Sequence, residues 1–271
     1  MKTNNELKNL VKEKYAAIAN QTGQSGCCGG DNNTNCCAGV DYSIFSESYT
    51  HLQGYQPDAD MQLGCGLPTE HARLKPGHTV LDLGSGAGND CFVARALVGD
   101  NGKVIGIDMV QEMVDKARNN ANKLGYDNVE FRLGDIENMP VEANAADVVI
   151  SNCVLNLVPD KSTAFNEIMR VLKPGGHLSV SDVVLKGELP SGLSEVAELY
   201  AGCVSGAVDL GTYLDIMSAA GLKNIQIQKE KQVILPDELL LEYIDDKELQ
   251  DFKDSGSGIF SITVYAEKPA L

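Results

Sequence analysis

The stretch Val80-Leu81-Asp82-Leu83-Gly84-Ser85-Gly86-Ala87-Gly88-Asn89-Asp90 constrains this chain more than any other. An apolar run passes into glycines at alternate positions, and the helical pattern CFVARALV follows directly. A buried strand that turns through glycine into a helix is the opening of a parallel sheet, because parallel strands need a crossover to return the chain. The residues beyond agree. KVIGIDM, NVEFRLGD, ADVVISN and HLSVSDVV read as further strands. Met113, Ala117, Ala121 and Leu124 make one helical stripe, and KSTAFNEIMRVL is a helix stopped by Lys173-Pro174-Gly175-Gly176. Strands that are apolar throughout and alternate with helices predict an α/β fold with helices on both faces of the sheet.

The ends of the chain read differently. Leu7, Leu10, Val11, Tyr15 and Ile18 predict an amphipathic helix over 5–20, followed by a loop over 20–40 rich in Gly, Asn and Ser. Near the C-terminus, NIQIQKE and GIFSITVYAEK read as strands around an acidic helix, DELLLEYIDDKELQ, whose run from Asp237 to Asp251 is a solvated face. With 22 basic against 38 acidic residues the net charge is −16, which disfavours a phosphate backbone or an anionic membrane surface as partner. No apolar run approaches the roughly 18 residues of a membrane span, and the polar start MKTNNELKNL lacks a signal-peptide core. The expectation is a cytoplasmic protein that binds neither nucleic acid nor membrane.

In that reducing compartment the 8 cysteines point to thiol chemistry rather than to a disulfide framework. Cys27, Cys28, Cys36 and Cys37 crowd the N-terminal loop, whereas Cys65, Cys91, Cys153 and Cys203 are dispersed. Paired C-x-x-C spacing is missing, so a structural zinc site is not expected. Cys91, on the helix after the glycine turn, reads as a small buried hydrophobe. Cys153 follows the fourth strand, at the carboxyl edge where open α/β sheets bind ligands.

The glycine turn selects among cofactors by charge. The dinucleotide pattern G-x-G-x-x-G would place its third glycine at Asn89, and Asp82 before the turn is a poor neighbour for a diphosphate. A cation suits it better. S-adenosylmethionine carries a sulfonium and an ammonium. Asp108, about 24 residues past Gly84, then falls where a carboxylate accepts ribose hydroxyls, and Asp135 where one receives the adenine amino group.

VLDLGSGAG, GIDM, GDIENMP and RVLKPGG, over residues 77–183, resemble the successive motifs of class I S-adenosylmethionine-dependent methyltransferases. The resemblance implies a Rossmann-like seven-stranded sheet with an antiparallel last strand, the segment 224–266 supplying the final two. It also implies cofactor contacts from Asp82, Gly84, Ser85, Gly86, Gly88, Asp108, Met109, Asp135, Ile136 and Asn152. LGCGLP, SNCVLNLVPDK and AGCVSGA together resemble arsenite methyltransferases more narrowly. That family implies trivalent arsenic held by Cys65, Cys153 and Cys203. It also implies disulfide exchange between Cys65 and a cysteine of the N-terminal loop, for which Cys28 and Cys37 are the candidates. Arsenite and methylarsenite are then the substrates, and glutathione, thioredoxin or another thiol the reductant. No permanently bound metal is expected. The implied organisation is an N-terminal helix and cysteine-rich loop over 1–70 that contributes to the arsenic site, a cofactor-binding core over 71–185, and a C-terminal part over 186–271 carrying Cys203 and the last strands.

Tyr42, Tyr49 and Tyr55 line the site or simply pack in their loop. His51, His71, His78 and His177 are scattered and read as ordinary surface or core residues. Two other readings stand beside this one: a C- or O-methyltransferase of the quinone-biosynthesis type with incidental cysteines, and a non-catalytic thiol protein that binds metalloids.

Overall fold

The computed structural model describes residues 3–21, 46–190 and 207–270. Its centre is a sheet of strands β1 Thr79–Leu83, β2 Lys103–Asp108, β3 Val129–Leu133, β4 Ala146–Asn152, β5 Leu172–Lys186, β6 Lys223–Val233 and β7 Gly258–Glu267. Their order is β3-β2-β1-β4-β5-β7-β6, with β7 antiparallel to both neighbours and the pairs from β3 to β5 parallel. This is the seven-stranded, Rossmann-like arrangement of class I methyltransferases. Leu81 pairs with Ile105 on one side and Val149 on the other, so β1 sits in the middle and is buried on both faces.

Alternation along the strands divides the core. Val80, Val104, Val148 and Ile150 face one side, with Phe92 and Ala117 from helices α3 Asn89–Val98 and α4 Gln111–Leu124. Leu81, Leu83, Ile105 and Val149 face the other, with Phe165 and Ile168 of α5 Lys161–Val171 and Tyr213 of α6 Leu210–Ala219. Burial of large apolar side chains at about 1.5–3 kcal/mol each makes this double layer the main source of stability. Sequence pattern did not reveal α6. Asp209 caps it, accepting from the Gly211 and Thr212 N–H groups at 2.8 and 3.3 Å.

Helix α1, Asn4–Gln21, starts at a capping box: Thr3 Oγ1 accepts the Glu6 N–H at 3.3 Å, and the Glu6 carboxylate accepts the Thr3 N–H at 2.6 Å. It packs against α4, while the short helix α2, Pro68–His71, lies against α3 and β5. The acidic C-terminal segment corrects an expectation. It forms two helices, α7 Asp237–Leu240 and α8 Asp246–Ser255, instead of one. Asp245 breaks the run because it begins a new capping box with Glu248, and the turn before it buries Ile244. Asp246, Glu248 and Asp251 of α8 are exposed while Leu249 is buried, as a solvated face requires. The described residues contain no helix long and apolar enough to cross a membrane.

Candidate active site

A cavity open to solvent lies at the carboxyl edge of β1, β2 and β4. Its floor is the glycine turn, and here glycine is obligatory. Gly84 and Gly88 have φ of +67° and +100°. A Cβ on Gly84 would come within 2.3 Å of Val154 Cγ2, and one on Gly88 within 2.8 Å of the Phe131 ring. Asp108, at the end of β2, fastens the turn: one carboxylate oxygen accepts the Gly86 N–H and the other the Val110 N–H, both at 2.9 Å. Ser85, Met109, Ile136 and Asn152 also line the cavity.

The electrostatics of the walls are lopsided. Asp82, Asp90 and Asp108 are all buried or nearly so and all border the cavity. Burial pushes Asp82 well above the usual carboxylate range, and the neighbouring Asp90 and Asp108 charges add to it. Asp90 is pushed up to about 6, chiefly by burial, against hydrogen bonds from Asn152 and Tyr49 that favour its charge. Burial likewise raises Asp108, opposed by the N–H groups of Val110, Gly86 and Met109. Among the described residues no Lys or Arg forms an ion pair with any of the three. Ser85 Oγ and Asn89 Oδ1 are buried at the same wall without a protein partner. Uncompensated buried carboxylates call for a cation, and the two orphaned oxygens call for polar ligand atoms. S-adenosylmethionine supplies a sulfonium, an ammonium and ribose hydroxyls, so the residues fit it. A diphosphate would meet like charge.

The far end of the cavity holds a contact that local sequence gives no sign of. Asp135, expected to face the adenine amino group, accepts from Lys8 of α1 at 2.6 Å and from the Glu137 N–H at 2.9 Å. Burial acts to raise the Asp135 carboxyl, but these donors outweigh it and hold the group below its usual range. Lys8 pairs with Glu137 as well. Together with Val11 and Tyr15 it makes α1 a roof over the cofactor cavity.

Two of the expected arsenic ligands come together. Cys65 and Cys153 are buried in one apolar cluster with Val183, Leu235, Leu240 and Ile259. Cys153 also lines the cavity and takes a left-handed conformation, φ +60°, which is uncommon for a residue with a side chain. Its N–H donates to Ser181 O at 2.8 Å. Cys203, Cys28 and Cys37, with Cys27, Cys36 and Tyr42, lie outside the described residues. Tyr49 is buried, and its hydroxyl lies 3.0 Å from each Asp90 oxygen, whereas Tyr55 bonds Asp60 at 3.2 Å. Cys91 is buried, as expected, yet it is more than an apolar filler because its thiol donates to Asp82 at 3.1 Å. No histidine lines the cavity. His51 meets Glu70, and His177 meets the Ala72 carbonyl. Sequence reasoning missed Asp90, which looks like an ordinary acidic residue in the first turn of α3, and Lys8.

Comparison with known proteins agrees with this fold. The family of proteins described as "Methyltransferase domain" matches residues 74–235. An arsenite methyltransferase of Halobacterium salinarum is 40% identical over 98% of this chain and 67% of its own length. One of Mus musculus is 39% identical over 66% of this chain, which spans 50% of that protein. The solved arsenic(III) S-adenosylmethionine methyltransferase of Chlamydomonas reinhardtii superposes with a TM-score of 0.62 and 34% identity, covering 76% of this chain and 68% of that one. A relative 40% identical along nearly the whole chain, together with the methyltransferase fold, places the protein in the family of S-adenosylmethionine-dependent arsenite methyltransferases.

Proposed function

We propose that the protein transfers methyl groups from S-adenosylmethionine to trivalent arsenic held by the thiolates of Cys65, Cys153 and Cys203. The observation that carries this is the burial of Cys65 and Cys153 in one cluster, with Cys153 on the wall of the acid-lined cavity. Soft thiolates suit a soft metalloid, and three match the three exchangeable positions of arsenite. At each, the thiol proton leaves with an arsenic hydroxyl as water, and an As–S bond replaces an As–O bond.

Arsenic keeps its lone pair on three thiolates and is itself the nucleophile, so no general base is needed. When bound, S-adenosylmethionine supplies an electrophilic methyl carbon. The turn from Gly84 to Gly88 would let backbone come close to it, Asp108 would hold its ribose, Asp82 and Asp90 would favour its positive charge, and Cys153 would hold the substrate at the same wall. Orientation is the main catalytic contribution of such a site. Transfer would form the As–C bond from the arsenic lone pair as the methyl–sulfonium bond breaks, its electron pair leaving with the thioether product, and would raise arsenic formally to the pentavalent state. Two electrons from a dithiol return it to trivalent and leave a disulfide, which Cys65 forms with Cys28 or Cys37 and which glutathione, thioredoxin or another external thiol then reduces.

On this reading residues 1–70 serve both sites, α1 roofing the cofactor while Cys65 reaches the arsenical. Residues 71–185 hold the cofactor, and 186–271 bring in Cys203. The chain works in the cytoplasm, and its charge of −16 keeps it from nucleic acid and anionic membrane. The test is incubation with arsenite, S-adenosylmethionine and a thiol, followed by arsenic speciation. Methylated arsenic is the expected product, and its absence with a folded, cofactor-binding protein would refute the proposal.

A further inference from the structure

Cys153 follows Asn152 directly in the chain, and the amide of Asn152 holds the backbone at Cys65. Its oxygen accepts the Cys65 N–H at 2.9 Å, and its nitrogen donates to Gly66 O at 2.8 Å. One side chain thereby holds backbone groups of two adjacent residues, Cys65 and Gly66. The approach is close: a Cβ on Gly64 would lie 2.5 Å from Asn152 Nδ2, so the segment preceding Cys65 has to be bare there. From the other edge the Ser261 hydroxyl donates to the Cys65 carbonyl. Gly66 packs on the Ser181 side chain, and Ser181 O accepts the N–H of Cys153, the residue that follows Asn152. Asn152 Nδ2 also reaches Tyr49 Oη at 2.6 Å and Asp90 Oδ2 at 3.2 Å, on the wall of the cofactor cavity.

We infer that Asn152 is a positioning residue that sets Cys65 against Cys153 and thereby decides whether the enzyme accepts an unmethylated arsenical. The inference rests on the arsenic reading above. Arsenite has three exchangeable positions and needs Cys65 as its third thiolate. Methylarsenite has two, and Cys153 and Cys203 suffice for it. Loss of the Asn152 amide frees the Cys65 backbone from one edge while Cys153 keeps its bond to Ser181. The resulting defect falls on arsenite more than on methylarsenite.

The experiment compares turnover on the two substrates at saturating cofactor, so that a change in cofactor affinity cancels in the ratio. In Asn152→Ala the ratio of arsenite to methylarsenite turnover is expected to fall about tenfold or more, the scale of one lost buried hydrogen bond. Asn152→Asp keeps the oxygen that accepts the Cys65 N–H and is expected to stay nearer the wild-type ratio. In a Cys65→Ser background, where methylarsenite is the substrate still turned over, adding Asn152→Ala should leave that turnover unchanged at saturating cofactor, since the two changes act through one group. An unchanged ratio in Asn152→Ala, or a further loss of methylarsenite turnover when Asn152→Ala is added to Cys65→Ser, would overturn the inference. Wild-type protein that methylates neither substrate would overturn the arsenic reading instead, and that result is visible before any variant is compared.

Discussion

The Cys91 thiol donates to the Asp82 carboxylate at 3.1 Å, and both groups are buried. The contact favours the charged form of an aspartate that burial and two neighbouring carboxylates push the other way. Cys91→Ala is therefore expected to weaken S-adenosylmethionine binding by about 0.5–1.5 kcal/mol, the range of a single hydrogen bond, while Cys91→Ser retains a donor and most of the affinity. Titration calorimetry on the two variants checks this. Equal affinities would mean that the thiol only fills space.

Asp90 gives the cofactor site a pH dependence whose sign is fixed. Its carboxyl is raised to about 6 in the protein, and a cationic ligand prefers it ionised. Binding therefore releases a proton, and affinity should decline as pH falls through that value. Asp90→Asn should flatten the decline and weaken binding at neutral pH by roughly 1.5–3 kcal/mol. Calorimetry across pH in buffers of different ionisation enthalpy measures both the slope and the proton.

How much of this was legible in the sequence depends on distance along the chain. The turn at Gly84, Gly86 and Gly88 was readable because its backbone conformations exclude other residues, and Asp108 because it ends a recognisable strand. Asp90 was not. Its orientation toward the cavity is set by Tyr49 and Asn152, 41 and 62 positions away. Nor was Lys8, whose partner Asp135 is 127 positions distant. The strands were legible because burial on both faces leaves continuous apolar runs. The acidic segment misled because its helical period continues through Asp245, and only the capping bonds of that residue show a new start.

The glycine at 84 offers a test of the turn itself. Gly84→Ala places a Cβ 2.3 Å from Val154 Cγ2 and imposes a φ of +67° on a residue that resists it. Left-handed backbone costs about 1–2 kcal/mol and overpacking about 1–3, so a loss of roughly 2–5 kcal/mol in stability or cofactor affinity is expected. Denaturant titration with and without S-adenosylmethionine separates the two. A variant that binds and unfolds like wild type would contradict the close approach.

Lys8 ties the roof down. Its ion pairs with Asp135 and Glu137 are only partly buried, so Lys8→Ala is expected to cost no more than about 1 kcal/mol of global stability. The local effect should be clearer. Amide exchange in α1 should speed up, and bound S-adenosylmethionine should dissociate severalfold faster. Unchanged exchange in α1 would show that apolar contacts alone, such as those of Val11 and Tyr15, hold the helix in place.

The most direct measurement of the central claim is arsenic speciation with wild type, Cys153→Ser and Cys65→Ser run in parallel on arsenite and on methylarsenite. The thiolate account predicts that Cys153→Ser methylates neither substrate, because a hydroxyl replaces the soft ligand on the cavity wall. It predicts that Cys65→Ser loses arsenite methylation and keeps part of its activity on methylarsenite. Arsenite methylation at the wild-type rate by Cys153→Ser, in protein that still binds S-adenosylmethionine, would contradict it.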